Sequence, residues 1–138
     1  MPVRLIYCSR ALREMSLQDI QNILRTARAN NERLGICGML SYQSSWFLQV
    51  LEGPRSEVNE LFLDIADDPR HDAVTIIAYE YVDEALFSDW RMGYAADGGA
   101  VAQLLHEFGL ERFEPLAMSP LQALRFLREL SSAQDLAA

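Results

Sequence analysis

LGICGMLSYQSSWFLQVLEGP, residues 34–54, decides how this chain folds. Two β-prone runs, Leu34 to Tyr42 and Trp46 to Leu51, flank the polar Gln43-Ser44-Ser45 and predict a hairpin, which Glu52-Gly53-Pro54 then terminates. The second strand is apolar on both faces: Phe47 and Leu51 flank Gln49 on one side, and Trp46, Leu48 and Val50 occupy the other. Both faces of its sheet therefore need cover.

Before the hairpin, Val3 to Ser9 reads as a first strand with Tyr7 on the face of Val3 and Leu5. Ser16 and Asp19 resemble a capping box, and Leu17, Ile20, Ile23, Leu24 and Ala27 recur with helical spacing up to Asn30-Asn31. After it, Val58, Leu61, Phe62 and Ile65 predict a second amphipathic helix, stopped by Asp67-Asp68-Pro69. Ala73 to Tyr81 and Trp90 to Tyr94 read as strands on either side of the loop 83–89. Beyond a break at Gly98-Gly99, Val101, Leu104, Leu105 and Phe108 predict a third helix. Ser119-Pro120 opens a fourth that carries Leu121, Leu124, Leu127 and Leu130, and the tail Ser131 to Ala138 is expected to fray.

The order βαββαβ, then a strand and two helices, predicts an α+β fold with a ferredoxin-like core. In that topology the first and third strands lie side by side and both crossover helices cover one face. Tyr7 and Gln49 would then share the groove under those helices. The C-terminal helices are expected either to cover the second face or to bury it against another subunit, and their leucines to offer a stripe to a partner. The organisation expected is a domain over residues 1–97 with a helical extension over 98–138.

Half of the 138 residues are hydrophobic, enough for one domain core, and the formal charge of −8, with no lysine at all, opposes nucleic-acid binding. No run approaches the roughly 18 apolar residues of a membrane span, which points to a cytoplasmic protein. Cys8 and Cys37 sit in apolar strands and read as small hydrophobes, not as a disulfide or metal ligands. A Gly-rich phosphate loop, Cys-x-x-Cys and His-Glu-x-x-His are all missing, and His71 and His106 have no nucleophile or ligand spacing around them. Asp67, Asp68 and Glu52 read as solvated surface. No catalytic or metal-binding set is assigned.

The polar residues in apolar settings are ambiguous on spacing alone. Gln49 needs partners for two donors and an acceptor, and backbone groups, a tyrosine hydroxyl or water satisfy such an amide more often than a ligand does. Tyr7 is equally readable as an apolar filler. Asn30-Asn31 reads as a helix C-cap or as amides for a polar ring edge. Arg70-His71 is a solvated loop pair or a phosphate contact, and Trp90 and Met92, two apart, share a strand face.

Leu5-Ile6-Tyr7-Cys8-Ser9, Ala29-Asn30-Asn31, Leu34-Gly35-Ile36-Cys37-Gly38-Met39-Leu40, Phe47 to Pro54, Asp68-Pro69-Arg70-His71 and Trp90-Arg91-Met92 together resemble the BLUF family, blue-light sensors using flavin, from Val3 to about Ala96. The resemblance implies a light sensor rather than an enzyme, with a non-covalent flavin, FAD or alternatively FMN or riboflavin, between the helices. It makes Tyr7 the photoactive tyrosine and Gln49 the amide linking it to the flavin. Trp90 and Met92 become the residues that compete for the space beside Gln49. It also places Ile23, Asn30, Asn31, Arg70 and His71 around the cofactor. Partners implied are a separate effector, such as a cyclic-dinucleotide enzyme or regulator, and further copies of the chain. Cys37 stands where many relatives carry threonine. The competing readings are a ferredoxin-like flavin reductase, an acylphosphatase-type hydrolase, which lacks its loop glycines here, and a colourless scaffold module.

Overall fold

The computed structural model describes residues 2–97 and 99–131. In chain order it contains β1 (Pro2–Ala11), α1 (Leu17–Leu34), β2 (Cys37–Gln43), β3 (Trp46–Pro54), α2 (Arg55–Ala66), β4 (His71–Tyr81), β5 (Gly93–Tyr94), α3 (Val101–Glu107), a 3-10 turn (Pro115–Ala117) and α4 (Pro120–Ser131). One sheet runs in the order β4-β1-β3-β2-β5, antiparallel except where β5 lies parallel to β2. β1 and β3 are central, so the α+β ferredoxin-like expectation holds. Residues 132–138 of the tail expected to fray, and Gly98 of the expected break, lie outside the described residues.

Local chemistry accounts for the elements. Ser16 accepts from the Asp19 backbone N–H while the Asp19 carboxylate accepts from the Ser16 N–H, a complete capping box that starts α1. The helix does not stop at Asn30-Asn31. It runs on to Leu34, and Gly35, at φ +72°, takes the left-handed position that ends it. The hairpin turn is only two residues, Ser44 and Ser45, both at positive φ as a type I′ turn requires, so Gln43 pairs with Trp46. β4 is an edge strand whose ladder with β1 shifts register twice, and Ala73 takes a left-handed φ of +54° beside the second shift.

Strand alternation divides the side chains into two cores. Val3, Leu5, Tyr7, Phe47 and Leu51 pack with Ile20 and Leu24 of α1 and Val58 of α2. Ile6, Cys8, Leu48 and Val50 pack on the other face with Val101, Leu104 and Leu105 of α3 and Ala123, Phe126, Leu127 and Leu130 of α4. The C-terminal helices thus fold back over the second face. The leucine stripe expected on α4 is not one face: Leu127 is buried while Leu121 is 78% exposed. With 3.6 residues per turn a period of three drifts around the helix, so Leu121 and Leu130 stand on opposite sides. No described helix is long and apolar enough to cross a membrane.

The reading of Glu52 is overturned. Glu52 is fully buried, not solvated surface. Its carboxylate takes the Arg4 Nε at 2.8 Å, the backbone N–H of Leu86 at 2.9 Å and that of Phe87 at 2.8 Å, with the Cys37 thiol at 3.8 Å.

Candidate functional site

A cavity of about 230 Å³ lies between α1, α2 and the sheet. Tyr7 and Gln49 form its floor. They are direct partners in the β1–β3 ladder, so strand pairing alone sets them side by side on one face, and Leu40 of β2 is the next residue across. α1 supplies Ile23, Thr26, Ala27, Asn30 and Asn31 at helical spacing, and α2 supplies Leu61, Asp64 and Ile65. Phe47, Asp68, Arg70 and His71 complete the lining. Ile23, Ala27, Leu61 and Ile65 make much of the helical walls aliphatic, with Thr26 and Asp64 polar among them, a mix of apolar lining and a few polar groups that suits a small molecule.

A hydrogen-bond chain crosses the floor. The Tyr7 hydroxyl donates to Gln49 Oε1, and Gln49 Nε2 donates to Met92 Sδ at 3.3 Å. The thioether has no proton to give, so only the N–H₂ end of the amide can face it. Met92 therefore fixes which way Gln49 points. Met92 is buried in the core on the α1/α2 side, whereas Trp90 packs against the core on the α3/α4 side. The expectation that these two share a strand face fails because residues 90–92 are not strand. β5 is just Gly93 and Tyr94, and alternation does not extend back to Trp90.

What holds residues 90–92 is a row of three donors. Gly38 N–H binds the Trp90 carbonyl at 3.0 Å, Asn31 Nδ2 the Arg91 carbonyl, and Arg28 Nε the Met92 carbonyl at 2.9 Å. Arg28 and Asn31 are three apart and so share a helix face. Gly38 is required there, since a Cβ would stand 2.1 Å from the Val50 carbonyl oxygen and 3.0 Å from Met92 Cε. Arg28 and Gly38 escape the sequence reading as site residues; the only hint is Arg28's spacing from Asn31.

Asn31 is fully buried within α1 and does not cap it, and its Oδ1 has no hydrogen-bond partner. A buried amide oxygen left unpaired in a pocket wall is costly, and a ring N–H supplied by a ligand removes that cost. At the mouth, Arg70 is forked onto Asp68, with Nε and Nη2 at 3.0 and 2.6 Å. His71 is tied inward: Nε2 lies 2.6 Å from the Ile65 carbonyl, which can only accept, so Nε2 donates there, and Nδ1 lies 2.7 Å from Ser9 Oγ. A phosphate at this mouth meets a cation already shared with Asp68 and a histidine whose two nitrogens are engaged.

Burial, with the nearby Asp68 charge second, pushes the Tyr7 phenol above its ordinary value of 10, so the hydroxyl stays a donor. Burial also pushes the Cys8 and Cys37 thiols up to about 11. The folded protein keeps these protons where the unfolded chain releases them. Their contribution to stability is full below about pH 8.5 and declines as pH rises through the alkaline range. Urea unfolding is expected to show that decline, and Tyr7→Phe to make it shallower above about pH 10. An equal slope in both proteins would refute the Tyr7 contribution.

An α+β domain whose pocket has a tyrosine–glutamine pair on its floor and an unpaired amide oxygen in its wall is built to take a polar ring edge. Residues 3–93 match the BLUF family, described as sensors of blue light using FAD, and the chain belongs to that family. It is 39% identical over 94 residues, 67% of its length, to the photoactivated adenylate cyclase subunit beta of Euglena longa, of which the match spans 11%. Among solved structures it resembles the photo-activated state of BlsA, with a TM-score of 0.92, 34% identity and full coverage of both chains. It also resembles the dark state of the BLUF protein BlrB, with a TM-score of 0.77, 33% identity and 96% of each chain covered.

Proposed function

We propose that this chain is a blue-light photoreceptor that binds FAD non-covalently in the pocket between α1 and α2 and signals through the hydrogen bonds of Tyr7 and Gln49. The observation that carries the reading is the chain Tyr7–Gln49–Met92, which links the pocket floor to the segment before β5. Asn31 would hold the polar edge of the ring through its unpaired Oδ1, Ile23 would pack on its face, and Asn30, Arg70 and His71 line the rest of the site. The bound flavin supplies blue-light absorption and, when excited, oxidising power.

Loss of an electron from the Tyr7 phenol makes its Oη strongly acidic, and the proton has a ready path along the existing bond to Gln49 Oε1. When electron and proton return, the amide is left turned, with Nε2 towards the pocket and Oε1 towards Met92. A carbonyl oxygen and a thioether are both acceptors, so the contact that held Met92 is lost. Each bond exchanged is worth about 1 kcal/mol, enough to shift Met92, Trp90 and β5 between two arrangements without unfolding the domain. No substrate is turned over by these residues. The sensor over residues 1–97 passes its state on, through the C-terminal extension over 98–138, to further copies of the chain and a separate cytoplasmic effector such as a cyclic-dinucleotide enzyme or regulator.

The test is an absorbance spectrum of the purified protein. A yellow protein whose flavin band shifts to the red under blue light and recovers in the dark is the expected result. A colourless protein, or a flavin that bleaches with NAD(P)H and shows no shift, would sink this reading in favour of a scaffold or a reductase.

A further inference from the structure

β3 grips the 86–92 segment from both faces of the sheet. On the α1/α2 face Gln49 Nε2 holds Met92 Sδ at 3.3 Å; three residues along the same strand, on the opposite face, Glu52 holds the backbone N–H groups of Leu86 and Phe87 at 2.9 and 2.8 Å. Glu52 is saturated. Oε1 faces both N–H groups and the Cys37 thiol, and Oε2 faces Arg4 Nε and, at 3.0 Å, Leu86 N–H again. Such a carboxylate has no slack, so Phe87, itself buried, is fixed relative to the strand that carries Gln49. Phe87 in turn begins the tight turn to Trp90, whose N–H binds the Phe87 carbonyl at 3.0 Å.

We propose that Glu52 is a positioning residue for the light response: by pinning residues 86 and 87 to β3 it sets Met92 against the Gln49 amide and so governs how fast the switched amide returns. This rests on the photoreceptor reading above. Glu52 lies outside the pocket lining, so its effect has to travel through the segment. Coupling of this kind is reciprocal: what Glu52 does for Met92, release of Met92 undoes at Glu52.

The full chain with its bound flavin supports two tests. In wild-type protein, hydrogen exchange at the Leu86 and Phe87 amides is expected to quicken about fivefold under blue light and to return with the time course of the absorbance, the factor that loosening one hydrogen bond gives. Unchanged exchange in a protein whose spectrum does shift overturns the proposal without touching the photoreceptor reading, whereas a wild-type spectrum that never shifts overturns both. Glu52→Gln keeps one acceptor oxygen and is expected to bind flavin and show the same red shift, with dark recovery slowed about fivefold. In a Met92→Leu background, which removes the contact being positioned, the same substitution is expected to leave recovery unaltered. An equal slowing in both backgrounds marks Glu52 as merely structural, and no slowing in either removes its role altogether.

Discussion

Tyr7→Phe is expected to abolish the light-induced red shift while flavin remains bound. The substitution removes one oxygen from a fully buried site and leaves the ring, which packs edge-on against Phe62 at 5.4 Å, in place. What disappears is, among the described residues, the only donor to Gln49 Oε1, and with it the electron donor and proton path proposed above. The ring contacts proposed for Ile23 and for the unpaired Asn31 oxygen do not involve that hydroxyl, so binding is expected to persist. The stability cost is that of one buried acceptor left unpaired, about 1–3 kcal/mol. Gln49→Ala is the companion variant, with Tyr7 intact and no amide to turn. Absorbance spectra under blue light decide both, and a full shift in either variant would rule out the role assigned to that residue.

Glu52→Ala is expected to have the largest effect on stability. It takes from the almost wholly buried Arg4 guanidinium its carboxylate partner at 2.8 Å, leaving it the longer pair with Glu80 at 3.7 Å, and orphans the N–H groups of Leu86 and Phe87 together. Breaking a buried ion pair from one side costs about 3–5 kcal/mol, against about 5–15 kcal/mol for a whole domain. Urea unfolding should show a much lower midpoint with an unchanged slope. Glu52→Gln should lose less, because its remaining oxygen still accepts from the segment, although it too leaves Arg4 without the carboxylate charge. A loss under about 1 kcal/mol for Glu52→Ala would mean that water and the existing pair with Glu80, at 3.7 Å and more than half exposed, are enough for Arg4.

Much of this was legible in residue order because it depends on neighbours in sequence. The capping box, the two-sided apolar character of β3 and the helical spacing from Val58 to Ile65 are local facts, and the βαββαβ order then pairs β1 with β3 and brings Tyr7 opposite Gln49. The misreadings share one cause, which is contact over distance. Asn31 looks like a C-cap until the Arg91 carbonyl, sixty positions later, takes its amide and draws it into the fold. Glu52 looks like the polar end of a strand until Arg4, 48 residues earlier, and Leu86, 34 later, close over it. Trp90 and Met92 look like strand partners because Trp90 to Tyr94 is β-prone, but three side-on donors hold its first carbonyls and leave room for only two residues of ladder. The resemblance in motif order, more than periodicity, singled out the pocket residues.

The two register shifts in β4 have a consequence for how the protein survives at high concentration. Val74-Thr75-Ile76-Ile77-Ala78-Tyr79 is uncharged, free of proline and β-prone, the makings of a cross-β segment, and it lies on an edge strand with Ile76 and Tyr79 well exposed. Paired regularly, it would present a straight template about six residues long. Instead Ile77 falls in the first shift and the left-handed Ala73 beside the second, so the ladder is cut into short runs, of which the longest is the four residues Ala78 to Tyr81. A stack of identical strands has no flat, in-register row to grow from, and the edge is kept from seeding fibres by its own kinks.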